Sequence, residues 1–251
     1  MSTLNVSLLQ FDIAWKDKST NFNKIETMAK SIERTDLILL PEMFQTGFSV
    51  EYPEQAEKMD GESISFMTRL AKKHRCMVGG SIMVNLHGQL VNRFIVSDGS
   101  DVIGIYDKQH LFKLSEENKH FTAGNSEVDI VIKGFKCRLI VCYDLRFPYL
   151  SFNDTDYDIL LVVANWPVKR IKHWDRLLQA RAIENQAYVV GVNRVGVDPD
   201  GHQYPGHSSV YGPDGKRLLR FLGEEVQTLT LDKEQIDYQR SKLPFIKDRR
   251  V

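Results

Sequence analysis

The stretch that most constrains the fold is residues 136–148, where Leu139-Ile140-Val141 runs straight into Cys142 and then into Tyr143-Asp144-Leu145-Arg146-Phe147-Pro148. A short run of branched apolar residues bounded by charge reads as a buried strand. Open α/β folds bind ligands beyond the carboxyl ends of such strands, so Cys142 stands where chemistry is expected. Cys137 lies five residues earlier, and side chains alternate along a strand, so the two thiols face opposite sides of the sheet. Cys137 is therefore read as packing.

The remaining pattern fits the same class. Residues 4–11 are strand-like, and residues 17–34 place Phe22, Ile25, Met28, Ala29 and Ile32 at helical spacing behind a Ser19/Thr20 cap region. Residues 36–40 form a buried strand ended by Pro41. A second helix is predicted over residues 63–74, leading into a strand over 76–84, and hairpin-like runs follow at 90–96, 102–106 and 128–132. Beyond Cys142 come a strand over 158–164, a helix over 169–185 with Trp174 as a core residue, a strand over 187–195 and a hairpin-rich end marked by Gly212-Pro213-Asp214-Gly215. Interleaved helices and strands predict a layered α/β sandwich, antiparallel wherever connections are too short for crossovers. Neither a linker nor a repeat divides the 251 residues, so a single domain over 1–251 is expected. The longest irregular segment is 107–127, and loops of that length in compact domains are commonly functional.

Charge narrows the partners. Thirty-three basic residues balance thirty-three acidic ones without a basic stripe, which removes the electrostatic footprint of nucleic-acid binding. No apolar run reaches membrane-spanning length. The first residues enter strand-like alternation without the charged region and cleavage site of a signal peptide, and three cysteines suit free thiols in a reducing compartment. A cytoplasmic protein is expected.

Three apolar strands end in an ionisable residue: Leu40-Pro41-Glu42, Tyr106-Asp107-Lys108 and Val141-Cys142. A carboxylate, an ammonium and a thiol converging from three strand ends supply a base, a fixed positive charge and a nucleophile, which suffices for acyl transfer. A free thiol with a pKa of about 8.5 is mostly protonated at neutral pH and needs help to react. Glu42 is placed to take its proton, and Lys108 to favour the thiolate and then the oxyanion of a tetrahedral intermediate. The Tyr143 amide, next after the nucleophile, is a natural second oxyanion donor.

These segments, in this order, resemble the Glu-Lys-Cys signature of the nitrilase, or carbon-nitrogen hydrolase, superfamily. The likeness continues through Ala164-Asn165-Trp166-Pro167, His173-Trp174, residues 179–189 and Asn193-Arg194-Val195-Gly196, and over that length it is most similar to the omega-amidase branch. The resemblance implies a four-layer αββα sandwich, a homodimer paired through helices, and Glu42 as general base, Lys108 as oxyanion-holding ammonium and Cys142 as nucleophile. It also implies a second glutamate in the loop after the lysine. Glu117, ahead of Phe121-Thr122-Ala123-Gly124-Asn125, fits that place best, with Glu116 adjacent. The implied reaction hydrolyses the terminal amide of 2-oxoglutaramate or 2-oxosuccinamate through a thioester, with no metal or organic cofactor. The alternatives are a nitrile or N-carbamoyl amine hydrolase, or a catalytically silent binding protein on this fold.

A 2-oxo acid amide brings a carboxylate and a keto group, which demand a cation or hydrogen-bond donors. Candidates are Arg170, Lys113, Arg194 and Tyr204, with Trp166 read as a pocket wall or, almost equally, as core packing. Arg146 ranks lower, because an ion pair with Asp144 that fixes the loop after the nucleophile is the simpler expectation. His110 is read as a structural histidine, since Glu42 already supplies a base. His173, His202 and His207 form no metal-ligand spacing with the cysteines.

Overall fold

A computed structural model describes residues 2–249. In chain order its elements are β1 (Thr3–Gln10), α1 (Lys18–Ala29), β2 (Leu37–Leu39), α2 (Glu62–His74), β3 (Met77–Leu86), β4 (Gln89–Ser97), β5 (Val102–Asp107), α3 (Glu117–His120), β6 (Asp129–Ile132), β7 (Phe135–Val141), β8 (Ile159–Ala164), α4 (Ile171–Asn185), β9 (Tyr188–Asn193), β10 (Val195–Val197), β11 (Gln203–Pro205), β12 (Ser209–Tyr211), β13 (Arg217–Arg220), β14 (Glu225–Asp232) and α5 (Lys233–Lys242).

Two six-stranded sheets run in the orders β14-β1-β2-β3-β4-β5 and β13-β12-β9-β8-β7-β6. Each has three parallel strands at its centre, β1-β2-β3 and β7-β8-β9, flanked by antiparallel ones. Central parallel strands are buried on both faces, which explains why β8 reads as an unbroken Ile-Leu-Leu-Val-Val-Ala. Val6, Leu8, Leu37, Leu39, Phe94 and Val96 of the first sheet share a core with Leu139, Ile140 and Val141 of the second. Alternate residues of the first sheet, Ile38, Leu40, Val78 and Ile95, pack instead against Phe22 and Ile25 of α1 and Ile64, Met67 and Leu70 of α2. On the far side, Trp174, Leu178 and Ala182 of α4 cover the second sheet. Gly191 in β9 permits that approach, because a Cβ there would lie 2.8 Å from Leu178 Cδ1 and 2.9 Å from Trp174 Cζ2. The result is the expected αββα layering.

Local signals account for most boundaries. The carboxylate of Asp17, not Ser19 or Thr20, caps α1 by accepting from the Thr20 amide at 3.0 Å. The helix stops at Ala29 instead of continuing to Arg34, because Ser31 folds back onto the Met28 carbonyl at 2.8 Å and the Ile32 amide reaches Ala29 in a tightened turn. Residues 107–127 are less irregular than their composition suggests. They hold α3, and the Gly124 amide donates to the Lys108 carbonyl at 2.9 Å. A Cβ at Gly124 would meet the Asp107 carbonyl oxygen at 2.1 Å, so only glycine lets this loop close over the end of β5. Cys137 is fully buried in the core between the layers, as is Trp174 beneath α4.

Candidate active site

The three strand ends named from the sequence meet. Glu42 follows β2, Lys108 follows β5 and Cys142 follows β7, and all three line one cavity of about 400 Å³, a size that suits a small ligand. Val141 is still extended, whereas Cys142 adopts φ 47° as the chain turns into a short 3-10 helix, Cys142–Arg146. A positive φ is uncommon for a residue with a Cβ and stores strain where the surrounding structure enforces it. Here the turn lifts the sulfur out of the sheet toward the cavity and leaves the Tyr143 amide in a first helical turn, where N–H groups are free to donate. Asp144 holds that turn in place. It is fully buried and accepts from Tyr106 Oη at 2.8 Å, the His110 amide at 2.8 Å and the Val141 amide at 3.2 Å.

The charged groups form a buried chain. Lys108 Nζ donates to Glu42 Oε1 at 3.0 Å and to both Glu117 oxygens at 3.0 Å. Glu42 also accepts from Asn92 Nδ2 at 2.8 Å and, through Oε2, from the Asn165 amide at 2.8 Å. Glu117 is fully buried and accepts from the Phe112 amide at 2.6 Å, whereas Glu116 is exposed and paired with Lys119. The choice between the two adjacent glutamates thus falls on Glu117 by position.

Burial alone would pull the Lys108 ammonium down, but Glu117 and Glu42 together outweigh it and hold the group above its ordinary value. Burial raises Glu117, against the opposing pull of Lys108. For Cys142, burial and then the negative charge of Glu42 push the thiol well above its usual range, and Lys108 only partly offsets them. Lys108 does favour the thiolate, as expected, but burial and the charge of Glu42 outweigh it. With two carboxylates on one ammonium the local field is negative, so the sulfur holds its proton until a neighbouring base removes it.

The substrate-binding candidates divide. Trp166, Arg170 and Tyr204 line the cavity. Lys113 is exposed, begins a short 3-10 turn after Phe112 and does not line it. Arg194 is likewise away from the cavity surface: strand alternation after Asn193 turns it to the other side, where it donates to Asp12 Oδ1 at 2.8 Å and the Ile13 carbonyl at 3.2 Å beneath the Tyr204 ring. The expected Asp144–Arg146 ion pair does not form. Asp144 is occupied as described, and Arg146 instead enters the cavity wall over the Trp166 ring, 4.8 Å from its centre. His110 stacks on Phe147 at 3.6 Å and hydrogen-bonds Tyr149 outside the cavity, in keeping with a structural role.

Sequence reasoning missed Asn92 and Ser81. Asn92 is buried behind Glu42, and its Oδ1 accepts from Ser81 Oγ at 2.8 Å, which in turn accepts from the Met43 amide at 3.0 Å. The signal was a polar residue inside the apolar run 90–96. Asn193 was quoted only as motif; its side chain accepts from the Trp166 amide at 2.7 Å and donates to the Trp166 carbonyl at 3.0 Å, clamping the loop that carries Asn165. Asp198, Asp200 and His202 gather at the cavity rim with ligand atoms within 4.8 Å of one another, but Asp198 already accepts from His202 and Tyr204.

A thiol, a carboxylate and an ammonium at one cavity are the groups that acyl transfer to a cysteine would need. A family model for carbon-nitrogen hydrolases matches residues 5–240, and the chain belongs to that family. The omega-amidase YafV of Yersinia enterocolitica is 42% identical over 234 residues, spanning 93% of this chain and 90% of the relative. The 2-oxoglutaramate amidase of Bacillus subtilis (strain 168) is 33% identical over 250 residues, 97% of this chain and 96% of its own. Among solved structures, XC1258 from Xanthomonas campestris, described as a CN-hydrolase superfamily protein with an arsenic adduct in the active site, superposes with a TM-score of 0.96 at 33% identity, covering 100% of this chain and 98% of that one.

Proposed function

We propose that this chain is an omega-amidase, hydrolysing the terminal amide of small 2-oxo dicarboxylic acid monoamides such as 2-oxoglutaramate and 2-oxosuccinamate to the 2-oxo acid and ammonia. The observation that carries this reading is the buried Glu42–Lys108–Glu117 chain beside Cys142 at one cavity; the names of its relatives direct the choice of substrate. Cys142 attacks the amide carbon while Glu42 takes the thiol proton. Lys108 and the Tyr143 amide hold the oxyanion. Protonated Glu42 returns the proton to the amide nitrogen, ammonia leaves and a thioester remains. Water then gives a proton to Glu42 and adds to the thioester; collapse of that adduct releases the acid and returns the proton to sulfur. Glu117 fixes and charges Lys108. Trp166, Arg170 and Tyr204 bound the space left for the acyl group.

We place residues 1–251 in one catalytic domain, acting as a homodimer in the cytoplasm. The free state of all three cysteines supports a reducing compartment. Ile183, open on the outer face of α4, supplies apolar surface for helix pairing.

The test is ammonia release from 2-oxoglutaramate and 2-oxosuccinamate set against short nitriles and N-carbamoyl amines. Preference for the oxo-amides is expected, with turnover abolished by Cys142→Ala in a protein of unchanged circular dichroism. Turnover retained in that variant excludes the thioester route, and a nitrile or carbamoyl preference moves the chain to another branch.

A further inference from the structure

A groove that shares no residue with the catalytic cavity runs between α4 and the β12–β13 hairpin, and cations reach it from both sides: Lys172 and Arg176 from the helix, Arg217 and Arg220 from β13. Local geometry gathers them. Lys172, Asp175 and Arg176 stand at helical spacings of three and four, on one face of α4. Arg217 and Arg220 are three residues apart and would point to opposite sides of a regular strand. The register breaks between them: Val210 pairs with Leu219 but Tyr211 pairs with Arg217, so Leu218 is an extra residue and both arginines line the groove.

The charge on this groove is not compensated. Asp175 is the acidic group in its wall, and it is already engaged: both carboxylate oxygens lie 3.2 Å from His207 Nδ1, with Arg220 Nη2 3.9 Å away. Among the described residues Lys172, Arg176 and Arg217 form no ion pair, whereas Arg138, Arg181 and Arg194 each hold a carboxylate. Lys172 and Arg176 also sit near the start of α4, whose first turn has no acidic residue, so the positive end of the helix adds to their field. Arg220 gives the sharper signal. Its Nη2 lies 2.8 Å from His207 Nε2, but its Nε is buried and has no acceptor. Buried donors in folded proteins are nearly always paired, and one left open marks a place for an ion or a water.

We propose that this groove binds a dianionic oxyanion of the phosphate type, either free or as the end group of a phosphomonoester. The cations approach from a helix on one side and a strand on the other, which matches an anion with acceptor oxygens in several directions better than a planar carboxylate. Arg220, oriented by His207, presents its guanidinium to one oxygen, and Arg217, Arg176 and Lys172 close on the others. The site does not rest on the amidase reading, because none of its residues takes part in that chemistry.

Titration calorimetry at low ionic strength and neutral pH, on the full chain in the oligomeric state it holds in solution, measures binding of inorganic phosphate and of phenyl phosphate. The proteins compared are the wild type, Arg217→Gln, Arg220→Gln and two controls, Lys30→Gln at the exposed end of α1 and Arg170→Gln in the catalytic cavity. Saturable binding of phosphate is expected, weakened about 10- to 100-fold by each groove substitution, as for loss of hydrogen bonds to a charged group, and held within about twofold by both controls. Phenyl phosphate bound as tightly as phosphate identifies the end group of a monoester, and binding of phosphate alone identifies the free ion; both uphold the site. If Arg220→Gln lowers the melting temperature by loosening the contact with His207, Arg217→Gln, whose side chain is exposed, carries the test. Absence of saturable binding, including a groove closed off by a partner subunit, overturns the proposal. So does binding unmoved by the groove substitutions, equal weakening by Lys30→Gln, or a loss confined to Arg170→Gln, which would put the anion in the catalytic cavity.

Discussion

Replacing Asn92 with leucine keeps the size of the side chain and removes its polarity, cutting the chain that runs from the Met43 amide through Ser81 and Asn92 to Glu42. Two losses follow. Glu42 Oε1 gives up a charge-assisted bond of 2.8 Å but keeps Lys108, a loss of about 1.5–3 kcal/mol. The Ser81 hydroxyl, fully buried, loses its acceptor, which costs about 1–3 kcal/mol more. A stability loss of about 2.5–6 kcal/mol is therefore expected, read as a lower urea midpoint at unchanged slope. Asn92 lies behind Glu42 and does not line the cavity, so kcat should fall about 10- to 100-fold while KM stays within about twofold. Because Ser81→Ala cuts the same chain, the double variant should cost clearly less than the two singles added, with a coupling of about 1–3 kcal/mol. An Asn92→Leu protein that keeps its urea midpoint and its turnover would show that Glu42 needs no such brace.

Three other outcomes follow from the same geometry. Asp144→Asn keeps the shape but turns an amide donor toward either Tyr106 or the His110 amide, and should cost about 1–3 kcal/mol together with a loss of turnover as the 3-10 turn carrying Cys142 loosens; calorimetry and ammonia release check both. The folded protein holds Cys76 up at about 12 and also raises Cys137, Tyr106 and Tyr204 above their unfolded values, so the native state binds more protons than the unfolded chain at alkaline pH. Their contribution to stability is then complete below the unfolded thiol value of about 8.5 and is lost as pH rises beyond it, which urea titrations at pH 7, 9 and 10.5 measure; a flat profile contradicts it. A thiol reagent should modify Cys142 alone in the native protein, faster as pH rises, because Cys76 and Cys137 are buried and the Cys142 thiol is held in its protonated form; two or three fast thiols would contradict the burial.

Much of this was legible in the chain because the informative residues sit at the ends of buried parallel strands. Apolar runs that stop at Glu42, Lys108 and Cys142 mark both the layers of the sandwich and the edge where ligands meet them. What stayed hidden depends on contacts distant in sequence. Asn92 lies in the strand two positions past Leu90, where a polar residue reads equally well as the solvent face, and only the crossing of β2 brings Glu42 to it, 50 residues away. Arg194 looked like a pocket cation because it ends a strand, yet Asn193 takes the inner position and alternation carries Arg194 to Asp12, 182 residues distant. Arg146 was assigned to Asp144 as a near neighbour in sequence, but the turn at Cys142 separates their side chains and gives Asp144 to Tyr106, 38 residues away across the two sheets.

Chemical quench during the first turnovers on 2-oxoglutaramate, followed by intact mass and peptide mapping, bears most directly on the role of Cys142. An acid-stable adduct with the mass of the 2-oxoglutaryl group should appear on the peptide carrying Cys142, vanish on treatment with hydroxylamine, and be missing from Cys142→Ala. Ammonia released at full rate with no acyl group on that peptide, or with the group on Cys76 or Cys137, would contradict a thioester formed at the meeting point of Glu42, Lys108 and Cys142.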